Sequence, residues 1–297
     1  MKKLLIIKNG APGDVVRTTP LLHLFGDWEI DWLTEKASRE LLVNDYIHSL
    51  FDDLDLIDPR KVYDLVINLE DAGDFVAAAL SRIKCTRIFG SYVDRGKKIC
   101  YTSDSAEWFD MGLISKYAIQ KANEIKLKNR NSYQEIIFRS LGYQFEGQQY
   151  VLPKHIPPSK LVGDIAMAPK AGPRWPIKNW YFFDDLTAAL SKNHKVTVLP
   201  TRKTILEHIA DIRGHKFVIS TDSLPMHLAL GLGIPCVAIF TCTSPWEIFD
   251  YNLLTKVVSP KLGQYFYSRE FNEDAVKCIP YREVYELVVK RLKFHRI

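Results

Sequence analysis

Three groups of residues have the types and spacing for chemistry. In the first, Asp222 and Ser223 follow the apolar run 217–220, His227 lies four residues after Ser223, and Thr243 and Ser244 close a second apolar run. Carboxylate, hydroxyl and imidazole groups at the ends of two buried strands suit a polar ligand. A helix opened by Asp222 and Ser223 would also turn its N–H groups and positive dipole end toward a phosphate. The same residues would equally serve a helix cap and a satisfied core histidine. The second group is the turn 9–14, where Asp14 follows Gly10 and Gly13. A carboxylate there either caps a helix or works as a general base. The turn lacks the third glycine of a dinucleotide fingerprint and the Gly-Lys-Ser/Thr of a P-loop. The third group is the loop 171–180, with Arg174 and Lys178 behind a strand ending at Ala168. Two cations at a strand's carboxyl end are placed for a diphosphate, or they are a solvated loop around packed tryptophans.

Elements that would position these groups follow from the apolar pattern. Strands are expected at 3–8, 28–33, 62–69 and 86–90, with helices from about 15 to 25, at 35–43, at 75–83 and at 131–141. The stretch 101–111 is aromatic without a period, and Trp108 and Phe109 there suit packing under a loop. Prolines 153, 157 and 158 mark a linker over 148–163, dividing the chain into domains 1–155 and 156–297. A second series then begins. Strands are expected at 164–168, 196–199, 217–220 and 235–240, and helices at 180–192, 204–212, 225–231 and 281–293. Strands alternating with helices at this pace mean α/β, with doubly wound sheets and ligands at the carboxyl ends of the strands.

Composition narrows the class. With 297 residues, 47% hydrophobic and 25% charged, the chain is an ordinary globular one with room for two domains. Its apolar runs stay far below the roughly 18 residues of a membrane span, and residues 4–7 are too short a run for a signal peptide's apolar core. Five scattered cysteines without a CxxC imply neither a disulfide framework nor a zinc site, and a reducing cytoplasm is expected. The net charge of +5 fits an anionic partner such as a nucleotide, a membrane face or nucleic acid.

In order along the chain stand Lys8, Gly13-Asp14-Val-Val-Arg-Thr18-Thr-Pro20, Arg174-Trp-Pro-x-Lys178-x-Trp180, Ser220-Thr-Asp222-Ser-x-x-x-His227-Leu-Ala and Lys277-Cys-Ile-Pro-x-x-x-Val284. This ordered set resembles the heptosyltransferase family, glycosyltransferase family 9, across both halves of the chain. The resemblance implies a GT-B fold: two Rossmann-like domains with a cleft between them, acceptor on the first and nucleotide-sugar on the second, the last helix packing back on the first. It implies metal-independent, inverting transfer without a cofactor, most naturally of heptose from ADP-heptose onto a lipopolysaccharide-core or related glycolipid acceptor. The site would be cytoplasmic, peripheral on the inner membrane. By motif, Asp14 matches the catalytic base, Arg174 the basic residue on the diphosphate, and Asp222 the acid near the donor sugar. Ser223 and His227 are its phosphate-side neighbours, Lys178 and Thr243 further donor contacts, and Lys8, Gly13, Thr18 and Glu207 additional donor or acceptor contacts.

Three features depart from the family pattern. Leu224 stands where a glycine usually follows Asp-Ser, and Thr241 where Phe-Gly-Pro-Thr has its glycine. The segment 196–207 is short, so a trimmed second domain and an altered donor pocket are expected. Glu207 would then meet a ribose or stay an exposed helix carboxylate. Two other readings remain: the same transfer with another nucleotide-sugar and a protein or DNA-base acceptor, or a non-catalytic nucleotide-sugar-binding scaffold. A nicotinamide oxidoreductase is disfavoured without GxGxxG, and no dense basic stripe with interleaved aromatics promotes nucleic acid as a partner.

Overall fold

The structure, a computed structural model, describes residues 1–96, 98–110 and 118–297. The chain divides into two compact units, Met1–His155 and Ile156–Ile297.

In the first unit the elements run β1 (Lys3–Ile7), α1 (Pro12–Val16), β2 (Glu29–Leu33), β3 (Ile47–Phe51), β4 (Val62–Asn68), α2 (Gly73–Arg82), β5 (Lys84–Val93), β6 (Ile99–Tyr101), α3 (Ala106–Asp110), α4 (Ile119–Lys128) and α5 (Tyr133–Ser140). The sheet order is β3-β2-β1-β4-β5-β6, parallel except for β6, which pairs antiparallel with β5. Leu4 to Ile7 are fully buried, as a strand covered on both faces of a parallel sheet requires. One face is filled by Leu5, Ile7, Leu33, Tyr63 and Val66 against Ala79 and Ile83.

The second unit runs β7 (Gly163–Ala168), α6 (Phe183–Leu190), β8 (Val196–Val198), α7 (Ile205–Arg213), β9 (His215–Thr221), α8 (Leu224–Gly231), β10 (Cys236–Phe240), β11 (Leu254–Val258), α9 (Glu273–Lys277) and α10 (Tyr281–His295). All five strands are parallel in the order β11-β10-β9-β7-β8. Ile165, Met167, Phe217 and Ile219 face α6 and α10, while α8 packs with β9, β10 and α7. The short 196–207 segment is a three-residue strand led straight into α7 by a six-residue loop.

Several expectations change. The helix expected over 15–25 is α1, only five residues long, followed by a 3₁₀ turn at Thr19–Leu24. Pro20 has no N–H for the Val16 carbonyl, and the Thr19 hydroxyl donates to that carbonyl instead, at 2.7 Å. The helix expected over 35–43 is likewise 3₁₀, at Lys36–Leu42. β5 is twice the expected length, while β3, β6, β11 and α4 have no counterpart in the pattern reading. Trp108 and Phe109 are buried, Trp108 edge-on to Tyr133; Met111, at the end of that aromatic stretch, lies outside the described residues. The final helix contributes the stripe Val284, Val288 and Leu292 to the second unit's core, worth about 2 kcal/mol per side chain.

Gly90 shows why one glycine is needed. It lies in register with Asn68, has φ +111°, and an added Cβ would stand 1.9 Å from the Asn68 carbonyl oxygen. Backbone strain and overpacking then add together. Gly90→Ala should therefore destabilise the first unit by about 3 kcal/mol or more, read as a lower denaturant midpoint with an unchanged slope.

Candidate active site

A doubly wound sheet opens a crevice where neighbouring strands send their connections to opposite sides. In the second unit, with β7 first in sequence and β9 third, that point lies between β7 and β9. The loop after β7 brings Lys178 there, and the turn after β9 brings Asp222. They meet: Lys178 Nζ donates to Asp222 Oδ2 and to its backbone carbonyl, both at 2.8 Å. The turn after β10 adds Thr243, whose hydroxyl donates to the same Oδ2 at 2.5 Å. Sequence-distant Lys178, Asp222 and Thr243 thus form one centre, with His227 buried behind it on α8.

Burial alone would raise the Asp222 carboxyl. The charges of Lys178 and His227, with hydrogen bonds from Lys178 and Thr243, outweigh it and hold the group at about 2. Asp222 is therefore an anion at any physiological pH, and two of the three ammonium N–H bonds of Lys178 are spent on it. Ser223 is the N-cap residue of α8 in extended backbone, yet its side chain makes no cap bond; it sits near Ser220 Oγ at 3.2 Å. The plain capping reading of Asp222 and Ser223 therefore does not describe their side chains. Pro225 removes one further N–H from the first turn of this eight-residue helix, which is buried from Pro225 to Leu230.

Around the centre, the Thr241 hydroxyl donates to the Ile177 carbonyl at 2.6 Å, tying the turn after β10 to the 3₁₀ turn Pro176–Lys178. The side chain that replaces the expected glycine is thus a structural brace. Thr221 Oγ1 and Ser244 Oγ are buried at the rim with no hydrogen-bond partner among the described residues. Arg174 is exposed beside Trp175, its guanidinium 5.9 Å from the indole centre. Glu207 does not join this group. It closes a capping box on α7 with Thr204, each accepting from the other's backbone N–H at 3.2 Å.

In the first unit the switch point lies between β1 and β4. Lys8 Nζ donates to Glu70 Oε1 at 2.6 Å and the Asn9 N–H to the same oxygen at 2.8 Å. Glu70, just past β4, thus anchors the turn that leads to Asp14. Gly10 takes φ +85° in that turn, a conformation suited to glycine. The Asp14 carboxylate is 43% exposed and pairs with the Arg17 guanidinium at 2.8 Å. Arg17 lies over the Tyr133 ring at 4.1 Å. Thr18 is buried, donating to the Asp14 carbonyl at 2.8 Å and sharing a 2.7 Å hydrogen bond with the Tyr133 hydroxyl. Burial pushes the Tyr133 phenol well up, so it stays protonated. Lys8 and Thr18 therefore brace the Asp14 turn. The pattern reading missed Glu70, Arg17 and Tyr133, although an acid directly after a buried strand was a signal for Glu70.

Among the described residues, one group has metal-ligand spacing: Glu29, Asp31 and His48, with ligand atoms within 4.8 Å of one another. Lys61 Nζ already occupies it, 2.7 Å from Glu29 and 2.5 Å from Asp31. The group also lies at the amino end of β2, opposite the Asp14 turn, and reads as an ion-pair network around the buried Asp31.

Comparison with known proteins bears directly on this site. Residues 183–272 match the model of glycosyltransferase family 9 (heptosyltransferase). No curated protein matches in sequence. Among solved structures, the chain is similar to E. coli ADP-heptose lps heptosyltransferase II, at 16% identity and TM-score 0.61, covering 99% of each chain. It is similar to a family 9 glycosyl transferase from Veillonella parvula DSM 2008, at 14% and 0.58, covering 99% of this chain and 97% of that one. It is also similar to E. coli heptosyltransferase WaaC with ADP-2-deoxy-2-fluoro heptose, at 14% and 0.58, covering 97% and 99%. These likenesses establish a GT-B type fold with two Rossmann-like units.

Asp222→Asn tests the centre. Because the folded carboxyl sits at about 2 against an ordinary 3.8, its contribution is fully present above about pH 4 and drains as pH falls toward 2. The variant should lose about 2 kcal/mol at pH 6, with the gap to the parent closing by pH 2 in denaturant titrations.

Proposed function

We propose that the protein is an inverting glycosyltransferase moving heptose from ADP-heptose onto a lipopolysaccharide-core or related glycolipid acceptor, a reading supported by the match of residues 183–272 to the model of glycosyltransferase family 9 (heptosyltransferase). The observation that carries this reading is the Lys178–Asp222–Thr243 centre at the switch point of the second unit. It joins a fixed anion, suited to sugar hydroxyls, to a cation and a helix N-terminus suited to phosphate. Solved relatives support the donor: one similar structure is E. coli WaaC with ADP, and another is the dodecameric iron-containing heptosyltransferase TibC in complex with ADP-D-beta-D-heptose.

In this reading Asp14 accepts the proton of the acceptor hydroxyl as its oxygen attacks the anomeric carbon. The bond from that carbon to the diphosphate breaks in the same step, and its electron pair leaves on the phosphate oxygen. Displacement from the opposite face inverts the centre. The Arg17 guanidinium, 2.8 Å from the Asp14 carboxylate, holds that group in place while leaving it open to solvent. Glu70, Lys8, Thr18 and Tyr133 hold the turn that presents it. Charge developing on the leaving diphosphate is met by Arg174, the remaining N–H of Lys178 and the first turn of α8. Asp222 orients the sugar, with Ser223 and His227 lining the phosphate side. A cytoplasmic reaction at the inner membrane surface suits such an acceptor. No helix among the described residues is long and apolar enough to cross a membrane.

Thermal unfolding against ADP-heptose, ADP, UDP and GDP sugars tests the donor. A ligand at 100-fold its Kd stabilises by about 2.7 kcal/mol. A shift with ADP compounds is expected; a shift with UDP or GDP sugars alone would discard the heptose donor, and no shift at all would favour the scaffold reading. Asp14→Asn should cut turnover by about 100-fold or more while leaving the Kd for ADP within twofold. Turnover close to that of the parent would remove Asp14 as the base.

A further inference from the structure

The charge balance at the second unit's centre leaves a requirement that Lys178 cannot meet. Asp222 is held ionised, so the Lys178 charge is already matched, whereas a diphosphate brings at least two negative charges. Cations from outside the pair are needed. Arg174 supplies one. The other comes from outside the motifs quoted in the sequence: the Arg269 guanidinium lies 5.3 Å from the centre of the Trp175 ring. Arg174 stands 5.9 Å and Lys178 Nζ 6.0 Å from that same ring. Three cations thus share one indole, and neither arginine pairs with a carboxylate among the described residues.

The placement of Arg269 is built. Tyr267 meets Trp175 edge-on with ring centres 5.4 Å apart. Its N–H donates to the Cys242 carbonyl at 2.8 Å, in the same turn that supplies Thr243. Tyr267 takes φ +53°, a left-handed conformation costly for an aromatic residue and sustained by that bond and ring contact. Below it, Tyr265, Ile177, Cys242, Ala275 and Val276 form a buried cluster that joins the 3₁₀ turn of Lys178 to this segment. A guanidinium that touches an aromatic face keeps its N–H edge available for anions.

We propose that Arg269 is the second arm of a diphosphate clamp, closing with Arg174 across Trp175 on the leaving group of the nucleotide-sugar. The assignment rests on the donor reading above and adds a binding residue to it. Arg269 neutralises the charge that Lys178, matched by Asp222, leaves uncompensated, and Trp175 spaces the two guanidinium groups.

Calorimetric titration of the whole protein with ADP and with inorganic pyrophosphate tests this in the parent, Arg269→Ala, Arg269→Lys and Arg174→Ala. Each alanine variant should raise both dissociation constants about tenfold or more, with the ligand-free unfolding midpoint unchanged. Arg269→Lys should recover part of the loss, because charge returns without the fork. Parent-like binding by Arg269→Ala would overturn the assignment and leave the donor reading intact. So would weaker binding accompanied by a lowered ligand-free midpoint that lysine restores without restoring affinity, which marks a structural role. A parent protein that binds neither ADP nor pyrophosphate would overturn both readings.

Discussion

The buried pair between Lys178 and Asp222 is the interaction on which the second unit's site depends. Taking two charges out of water is expensive, and such pairs seldom add net stability over an apolar replacement. This one is supported by a hydroxyl from Thr243 and by two bonds from a single ammonium, one of them to a backbone carbonyl. What the arrangement secures is position. It locks the loop after β7, the turn after β9 and the turn after β10 into one geometry, with the carboxylate permanently charged. Thr241 repeats the tie a few residues away, from the turn after β10 to the Ile177 carbonyl.

The first unit solves a similar problem with different groups. Its switch point is held by Glu70, which takes both the Lys8 ammonium and the Asn9 N–H on one oxygen. Asp14 itself stays partly open to solvent and is steadied by Arg17, whose guanidinium rests on the buried Tyr133 ring. The contrast is chemical. A group that must exchange a proton works near water, here beside a fixed cation. A group that must remain an anion is buried among donors. In the proposed transfer those two duties fall to Asp14 and Asp222.

The departures from the family pattern take physical form as well. Thr241 is a brace, and the short 196–207 segment is a three-residue strand feeding a capped helix. Glu207 is consumed by that cap, so the acid that would meet a ribose in this region is employed in starting α7.

Much of the fold was legible in order. Fully buried parallel strands leave near-continuous apolar runs, as in β1 and β10, and the alternation with helices follows from the need to cross back over the sheet. Half-buried edge strands leave no such run, which is why β3, β6 and β11 were silent. The candidate residues Asp14, Arg174, Lys178 and Asp222 were also readable, because acids and cations in the turns and loops that follow buried strands stand out. What the sequence by itself determined is therefore the α/β class, the strand ends and the residue types waiting at them. Only the tertiary structure decided the pairings: Lys178 with Asp222, Glu70 with the Asp14 turn, Arg269 with Trp175. Those partners are separated by 44, 61 and 94 positions or so along the chain, and no local pattern encodes a contact that only the winding of the sheet creates.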